Sequence, residues 1–201
     1  MKISDLMIPD PITISEKASI TDALEMMKLN SIRHLPVVSP KKLLRGFVTL
    51  ADLKQGLIPS MVGDVSLSDL MIKDPIQVKP DDDIEVAAQL IYNHKISGMP
   101  VVKNRRLVGI ITETDILRAF IDMMGILSGS SRIDVLMPDT QIAFKEALQV
   151  INDCGADIIN VGITAQQVGK RICFFRLAAC KTDMIKDALE ANSFEVLHAM
   201  D

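Results

Sequence analysis

The chain has 201 residues, of which 48% are hydrophobic and only 3% aromatic, with no Trp and a single Tyr. This length predicts one to two domains, and the apolar fraction is sufficient for cores built from Ile, Leu, Val, Met and Ala. The net charge of −4, with acidic and basic residues interspersed, argues against a protein that binds nucleic acids or membrane surfaces, because both need a basic face.

Export, membrane insertion and metal binding are not expected from this sequence. The first 16 positions carry three acidic residues and no apolar h-region, which argues against a signal peptide. No apolar run approaches the ~18 residues that span a bilayer. Cys154, Cys173 and Cys180 lack the C-x-x-C spacing of a structural zinc site and are typical of reduced thiols. We therefore expect a cytoplasmic protein without a metal site.

Three sequence blocks occur twice, at offsets of 63 or 64 residues. They are 5–12 with 69–76, 35–38 with 99–102, and 46–52 with 109–115. The first block reads Asp-Leu-Met-Ile-x-Asp-Pro-Ile in both copies, and the third follows Gly-x-x-Thr-x-x-Asp. Blocks that keep register this closely indicate that a structural unit of about 60 residues has been duplicated.

Each copy is predicted to fold as β-α-β-β-α. Strands are expected at 11–14, 35–38 and 44–49 in the first copy, and at 75–78, 99–102 and 107–112 in the second. After Ser19 or Asp83 as the N-cap, apolar residues recur at i, i+3, i+4 and i+7, the pattern of one helix face. A second helix is expected directly after Thr49 and Thr112. Because neither copy could bury both its helices and its sheet alone, we expect the two to pack about a pseudo-twofold axis.

Beyond residue 131 the pattern changes to β-α-β-β-α-β, the ferredoxin-like arrangement. Strands are expected at 133–137, 157–163, 170–178 and 194–200. Thr140 and Thr182 are the predicted N-caps of the two helices, Gly155 the left-handed residue after the first, and Asn192 the end of the second. Linkers marked by Gly, Pro or Ser at 55–68 and 125–131 give domains 1–60, 64–124 and 131–201, an α/β chain of the α+β type.

The Gly-x-x-Thr-x-x-Asp block predicts a nucleoside-phosphate site in each copy. Thr49 and Thr112 stand where a strand becomes a helix, and helix N-termini attract phosphate. Three residues on, Asp52 and Asp115 place a carboxylate where it can accept two hydrogen bonds from a ribose diol. A slot for the flat base would come from the adjacent apolar strands, at Leu35, Pro36, Met99 and Pro100. The alternative is that each Thr is only a helix cap and each Asp only stabilises the helix dipole.

With these motifs, residues 1–124 resemble a tandem pair of cystathionine-β-synthase-type (CBS) domains, the arrangement called a Bateman module. The resemblance implies an adenosyl ligand (AMP, ADP, ATP, NAD or S-adenosylmethionine) in the cleft between the copies, optionally with Mg²⁺, and pairing of modules into a homodimer. It also implies that Thr49 and Asp52 contact phosphate and ribose at one site, and Thr112 and Asp115 at the other. The resemblance further implies that the strand edge in contact with the base is formed by Ile12, Thr13, Ile76 and Gln77.

The two copies differ where the resemblance implies contacts to phosphate. Arg33 and His34 precede the first Leu-Pro-Val-Val, whereas the second copy has Ser97 and Gly98 before Met-Pro-Val-Val. The basic pair would make the first site prefer a polyphosphate, and the second site would take a less charged nucleoside or stay empty. The alternative is that Arg33 is a solvated surface charge.

Residues 131–201 resemble an ACT domain, a ferredoxin-like small-molecule sensor. Amino-acid sites of that family usually need a Gly in the first β-α turn, where this chain has Thr140 followed directly by Gln141. The resemblance therefore leaves both an amino-acid sensor and a pure dimerisation domain open. The order CBS-CBS-ACT resembles the acetoin-utilisation regulatory protein family.

The sequence contains no G-x-x-x-x-G-K-[ST], G-x-G-x-x-G or G-x-S-x-G motif that would favour catalysis. We expect a non-catalytic regulatory protein that senses adenosyl nucleotides and changes the activity of an unidentified target protein, with acetoin utilisation as one candidate pathway. The alternative is an ACT-mediated amino-acid sensor, or a dimerisation scaffold whose nucleotide sites are empty.

Overall fold

The computed structural model describes residues 1–56, 66–127, 129–167 and 169–201. The chain divides into two units, Met1–Leu117 and Arg118–Asp201. The domain borders predicted at 60 and 64 lie outside the described residues, as does Ser128 of the second predicted linker. The division into three domains therefore stays a prediction. None of the helices in the described part of the chain is both long and apolar enough to span a bilayer.

The first copy follows a short 3-10 turn at Ile3–Asp5 and contains four strands and two helices. They are β1 Ile8–Pro9, β2 Ile14–Ser15, α1 Ile20–Leu29, β3 His34–Val38, β4 Leu44–Thr49 and α2 Leu50–Gly56. The strand predicted at 11–14 is wrong in its extent, because only Ile14 of that range is in a strand. Asp10 has a φ of 43° and is flanked by two prolines, which cannot donate to a sheet, so the extended run is broken there.

In the described residues the second copy has five named elements, a short opening helix followed by the helix-strand-strand-helix order of the first copy. They are α3 Leu67–Leu70, α4 Ile84–His94, β5 Gly98–Lys103, β6 Arg106–Thr112 and α5 Glu113–Met123. No named strand occupies the predicted range 75–78 in this described part of the chain. Val78 instead makes an isolated parallel bridge to Val101, which is the counterpart of the parallel pairing of Ile14 with Val37 in the first copy.

Both predicted N-cap positions precede their helices, but only one caps through its side chain. Ser19 Oγ accepts a hydrogen bond from the Asp22 N–H at 3.0 Å, and the Asp22 carboxylate accepts one from the Ser19 N–H at 2.9 Å, a reciprocal capping box. Asp83 stands before α4 without a side-chain cap bond, and its carboxylate is paired with Lys2 Nζ at 2.8 Å.

Each copy contributes one short segment to the sheet of the other copy. β1 of the first copy pairs with β6 of the second, with Ile8 opposite Ile110. In return, Ile72 of the second copy bridges Phe47 of the first. These are equivalent positions of the repeat, so each sheet is completed by the other copy. The predicted packing about a pseudo-twofold axis is confirmed.

The pseudo-twofold axis passes between the β3–β4 hairpin of the first copy and the β5–β6 hairpin of the second. Leu43 and Arg106 are equivalent residues, 63 positions apart in the repeat, and they bridge each other directly. On either side, the Leu44 N–H donates to Arg105 O at 3.3 Å and the Leu107 N–H donates to Lys42 O at 3.1 Å. This reciprocal pair of bonds fixes the register of one copy against the other.

The second unit is a four-stranded antiparallel sheet with two helices. Its elements are β7 Ser130–Pro138, α6 Gln141–Asp153, β8 Ile158–Gln167, β9 Lys170–Ala178, α7 Asp183–Ala191 and β10 Glu195–Met200. The strand order β10-β7-β9-β8 confirms the predicted ferredoxin-like arrangement. Its core is formed by alternate residues of the strands against the helices, including Ile133, Val135, Phe175, Ile151 and Leu189, all fully buried.

The ends of the two helices in this unit test the predicted caps. Thr140 caps α6, since its hydroxyl accepts from the Ala143 N–H at 3.2 Å, and Gly155 has the expected left-handed φ of 75°. Thr182 is the N-cap residue of α7, but capping through its side chain is wrong. Its backbone is in the helical region, and its hydroxyl donates instead to Asp201 Oδ1 at 2.8 Å.

Candidate functional site

The two Gly-x-x-Thr-x-x-Asp blocks fold into nearly identical local structures. In the first, Asp52 Oδ2 accepts from the Thr49 N–H at 2.9 Å and from the Thr49 hydroxyl at 2.7 Å. In the second, Asp115 Oδ2 accepts from the Thr112 N–H at 2.8 Å and from the Thr112 hydroxyl at 2.7 Å. All four side chains are half-buried. The spacing of three residues produces this because it is the spacing of a capping box.

These contacts show that the capping alternative is real at both positions, but they do not use the whole carboxylate. In each box one oxygen takes both hydrogen bonds, and for the other oxygen the described residues provide no donor. An ionised carboxylate has about four acceptor positions, so a second set of hydrogen bonds to a diol remains chemically open. Capping and ligand binding are therefore compatible roles for Asp52 and Asp115.

A cavity of about 230 Å³ lies beside Thr112, and we name it the Thr112 cavity. It contains residues of both copies, since Ile12 comes from the first copy and Thr112 from the second. Its lining consists of Ile8, Pro11, Ile12, Ser31, Ile32, Arg33, His34, Ile110 and Thr112. Its apolar walls can hold a flat ring, while the Arg33 guanidinium offers donors to an anionic group.

A second cavity, of about 290 Å³, lies beside Thr49 and is named the Thr49 cavity. It is lined by Arg33, His34, Thr49, Leu50, Ala51, Lys54 and Ser97. This cavity again mixes the copies, because Ser97 belongs to the second and the other residues to the first. Its lining is more cationic than that of the Thr112 cavity, since Lys54 adds a second positive charge.

His34 lies between the two cavities and is fixed by contacts with both copies. The residue is only 7% exposed, and its ring stacks on Phe47 with ring centroids 5.8 Å apart. Its Nε2 shares a hydrogen bond of 2.7 Å with Ser97 Oγ. Burial, and secondarily the charge of Arg33, lowers the pKa of His34 from its ordinary value, against the opposing influence of Glu113, Asp115 and Asp52. The imidazole is therefore held neutral near neutral pH.

Arg33 is exposed and loosely held. Its Nη2 is 3.7 Å from Glu113 Oε1, and the two side chains are 63% and 51% exposed. An exposed ion pair of this length contributes little stability and is easily exchanged for another anion. Both the phosphate contact and the solvated surface charge predicted for Arg33 therefore remain open.

Asp52 and Asp115 line neither cavity themselves and adjoin the cavities through Thr49 and Thr112. The remaining predicted site residues also lie apart from the two cavities. Leu35, Pro36, Met99 and Pro100 are buried within β3 and β5, and Leu35 packs in the core of the first unit, so their side chains do not form an open slot for a base. Gln77 lines a separate surface cavity of about 530 Å³, and Thr13 and Ile76 line neither that cavity nor the Thr112 and Thr49 cavities. Gly98 borders His34, since a Cβ built on it would be 3.3 Å from His34 Nε2.

Sequence reasoning missed several residues that the structure brings to the cavities. Ile8, Ile32 and Ile110 form apolar walls of the Thr112 cavity, and Lys54 lines the Thr49 cavity. Ile8 was within the repeated Asp-Leu-Met-Ile block, which was the available signal. Lys54 had none, because one exposed lysine on a helix is indistinguishable in sequence from a solvated one. Within the described residues, no group of three or more His, Cys, Asp or Glu side chains could hold a metal ion.

The protein-family comparison matches the CBS domain twice, at residues 3–58 and 67–122. Among curated proteins, the homoserine O-acetyltransferase of Methanohalobium evestigatum is 38% identical over 117 residues, which are 58% of this chain and 23% of that protein. The chain thus spans about a quarter of the length of the curated relatives that it matches.

Three solved structures resemble the chain at similar levels. A provisionally assigned acetoin utilization protein (AcuB) from Vibrio cholerae is 31% identical with a TM-score of 0.56, covering 63% of this chain and 94% of that one. The CBS domain pair of protein MJ0100, in complex with 5′-methylthioadenosine and S-adenosyl-L-methionine, is 30% identical with a TM-score of 0.56, covering 60% and 95%. CBSX2 in complex with AMP is 30% identical with a TM-score of 0.55, covering 61% and 98%.

The family match covers more than half of the chain and coincides with the two repeat copies and their exchanged strands. This chain is a tandem CBS-domain protein and belongs to the CBS domain family.

Proposed function

We propose that this chain is a non-catalytic regulatory protein that binds adenosyl ligands in the two cavities of its CBS pair. The observation that carries the proposal is the Thr112 cavity, where apolar side chains of both copies face Arg33 and Thr112 in a space of about 230 Å³. Apolar walls with a few convergent polar groups are the usual make-up of a small-molecule site. Solved relatives with AMP, or with 5′-methylthioadenosine and S-adenosyl-L-methionine, support this ligand class.

In this proposal the base lies against the isoleucine walls and the phosphates extend toward Arg33. The hydroxyl protons of Thr112 and Thr49 are already donated to Asp115 and Asp52, so the side-chain donors to phosphate are Arg33 and, in the Thr49 cavity, Lys54. The unused oxygens of Asp115 and Asp52 accept from ribose. ATP or ADP would bind together with Mg²⁺ on its phosphates. Measuring the binding of each nucleotide with and without a chelator tests the role of Mg²⁺. Because ligand contacts come from both copies, occupancy would favour one relative orientation of the copies over another, and this is the signal read by a target protein.

A thermal-unfolding screen against AMP, ADP, ATP, NAD, S-adenosylmethionine and adenosine tests the proposal. A ligand at 100 times its Kd should stabilise the protein by about 2.7 kcal/mol. Product analysis after incubation with each nucleotide checks the non-catalytic part, since stoichiometric turnover would overturn it. If none of the six compounds raises the unfolding temperature, the nucleotide sites are empty and the scaffold alternative stands.

For the second unit, one observation favours an ACT-like dimerisation domain over an amino-acid sensor. The β7–α6 turn, where the resemblance implies an amino-acid site, is tied to β9 by Arg171, which contacts Asp139 Oδ1 at 3.2 Å and donates to Thr140 O at 3.0 Å. We infer a homodimer assembled through this unit. Light scattering on the full chain should give twice the mass of 22.1 kDa, and an amino-acid panel should leave its stability unchanged.

The target protein and the location of the chain are further parts of the proposal. We expect a cytoplasmic protein, and the resemblance to an AcuB structure makes acetoin utilisation the first pathway in which to seek the target. Affinity capture with and without the ligand found in the screen, with the Asp115→Ala variant as control, tests this. A target that binds equally in all three samples would not be regulated through these cavities.

A further inference from the structure

Arg33 lines both the Thr112 cavity and the Thr49 cavity. The equivalent residue of the second copy is Ser97, so the duplication supplies one guanidinium for two cavities. Arg33 is also the one charged residue in the described lining of the Thr112 cavity. The Thr49 cavity has Lys54 in addition, whereas the position equivalent to Lys54, 63 residues further on, is the apolar Leu117.

Because of Glu113, the charge beside Thr112 depends on where the Arg33 guanidinium lies. Its carboxylate directly follows Thr112 in the chain and is 3.7 Å from the Arg33 guanidinium, while the equivalent residue in the first copy is the uncharged Leu50. When Arg33 is near Glu113, the two charges offset each other beside Thr112. When Arg33 moves away, a carboxylate is left there that repels a phosphate.

His34 cannot replace the missing charge. It lines both cavities too, but it is buried and fixed by its 2.7 Å hydrogen bond to Ser97. Burial lowers its pKa, so it remains neutral near neutral pH. The exposed positive charge that lines both cavities is therefore that of Arg33.

We propose that Arg33 couples the two cavities negatively for phosphate-bearing ligands. A polyphosphate in the Thr49 cavity draws Arg33 away from Glu113, and the Thr112 cavity then binds a second polyphosphate more weakly. By linkage, occupancy of the Thr112 cavity weakens the Thr49 cavity by the same factor. Arg33 could instead contact both ligands at once, but two polyphosphates would then lie close together and repel each other. Binding of the second polyphosphate would therefore still be weakened. The inference rests on the proposed function, because it assumes that both cavities take adenosyl ligands.

Calorimetry with ATP and adenosine on the full chain tests the coupling. Ile12→Trp fills the Thr112 cavity and Ala51→Trp fills the Thr49 cavity, so each variant reports one cavity with the other closed; a stoichiometry of one confirms the closure. From these two constants the isotherm of independent sites can be calculated. In the unmodified chain the second ATP should bind about tenfold more weakly than calculated, within the usual range of coupling factors. Adenosine should follow the calculated isotherm.

Substitutions at the shared position separate this mechanism from simple repulsion between two ATP molecules. Arg33→Ala should weaken ATP in both single-cavity variants and reduce the coupling to less than about twofold. Ser97→Arg, which gives the second copy its own guanidinium, should reduce the coupling as well, whereas Ser97→Ala should not. Arg45→Ala is the control for a loss of surface charge, since Arg45 is exposed and lines neither cavity.

Four outcomes of these experiments would contradict the coupling through Arg33. Equal coupling with and without Arg33 would show that ligand repulsion alone acts and would overturn the inference. An Arg33→Ala effect in one single-cavity variant only would also overturn it, because Arg33 would then serve one site. Independent ATP binding in the unmodified chain leaves the proposed function in place and removes the coupling. Absence of binding by both ATP and adenosine also removes the coupling, whereas the proposed function fails only if none of the six screened compounds binds. Denaturant unfolding of every variant verifies that the comparisons concern folded protein.

Discussion

His34 Nε2 and Ser97 Oγ, 63 residues apart in the chain, share a hydrogen bond of 2.7 Å across the two repeat copies. The bond exists because the copies differ at this point. His34 is equivalent to Gly98, whose missing side chain leaves room for the imidazole: a Cβ there would be 3.3 Å from Nε2 and 3.2 Å from Thr112 Cγ2. The asymmetry recognised in the sequence is thus also a packing relationship at the border of both cavities.

Gly98→Ala should destabilise the protein and disturb both cavities. The added methyl group meets His34, Thr112 and the carbonyl of Ile111, all closer than ordinary contact distance, and overpacking of this kind costs about 1–3 kcal/mol. Denaturant unfolding measures the loss. Gly129→Ala is the matched control, because a Cβ there has nothing within 4 Å and should change stability by less than about 0.5 kcal/mol. Equal stability of the two variants would mean that the His34 border adjusts freely.

The stability of the first unit should fall in mild acid because of His34. Burial and Arg33 lower its pKa in the folded protein, so the unfolded chain binds the proton more readily. The contribution is therefore fully present above the unfolded pKa of about 6.5 and is lost as the pH falls through the lower folded pKa. Glu113, Asp115 and Asp52 oppose the shift and limit its size.

Denaturant unfolding between pH 8 and pH 5 measures this effect. The difference in unfolding free energy between the unmodified chain and His34→Gln should become smaller as the pH decreases. His198→Gln, at an exposed position of β10, is the control and should keep the pH profile of the unmodified chain. A difference between His34→Gln and the unmodified chain that stays constant over this range would contradict the prediction.

Asp52→Ala and Asp115→Ala should each weaken one nucleotide site and also cost stability. Loss of the ribose contact is expected to reduce affinity by about 1.5–3 kcal/mol, which is about 10- to 150-fold in Kd. Because each carboxylate accepts two hydrogen bonds from its Thr, the loss of the capping box should cost a further ~0.5–2 kcal/mol of folding stability.

Asp22→Ala separates these two effects. Asp22 forms the same kind of capping box with Ser19 at the start of α1. Ser19 lines neither cavity, whereas Thr49 and Thr112, the partners of Asp52 and Asp115, each line one. Asp22→Ala should lose comparable stability and keep its nucleotide affinity in calorimetry. If Asp52→Ala and Asp115→Ala behave like Asp22→Ala, both aspartates are only helix-capping residues.

Asp201 should stabilise the second unit by fixing the start of α7. Its carboxylate accepts from the Thr182 N–H and hydroxyl, each at 2.8 Å, and pairs with Lys181, which together lower its pKa to about 2. A carboxyl pKa lowered on folding stabilises the protein above the unfolded value of 3.8 and loses this effect as the pH falls toward 2. Asp201→Asn should therefore lower Tm at pH 7, with a difference that vanishes near pH 2. The exposed Asp187→Asn should leave Tm unchanged at both values.

Features that depend on neighbouring residues could be predicted from the sequence. Ser19 and Thr140 cap their helices because a hydroxyl three residues before an amide reaches it within one turn. The same local reach produces the Thr49–Asp52 and Thr112–Asp115 boxes. Thr182 failed as a side-chain cap because its partner, Asp201, is 19 residues away and outside any local pattern.

The sequence by itself determined the duplication, the β-α-β-β-α order, the ferredoxin-like second unit and the difference between Arg33-His34 and Ser97-Gly98. Only the tertiary structure decided which copy completes each cavity, placing Ile12 of the first copy with Thr112 of the second and leaving Leu35 and Met99 in the interior. The physical reason is that two copies with the same periodicity and caps have the same local preferences. Whether β1 pairs within its own copy or with β6 of the other therefore depends on contacts between residues far apart in the chain, such as Ile8 with Ile110.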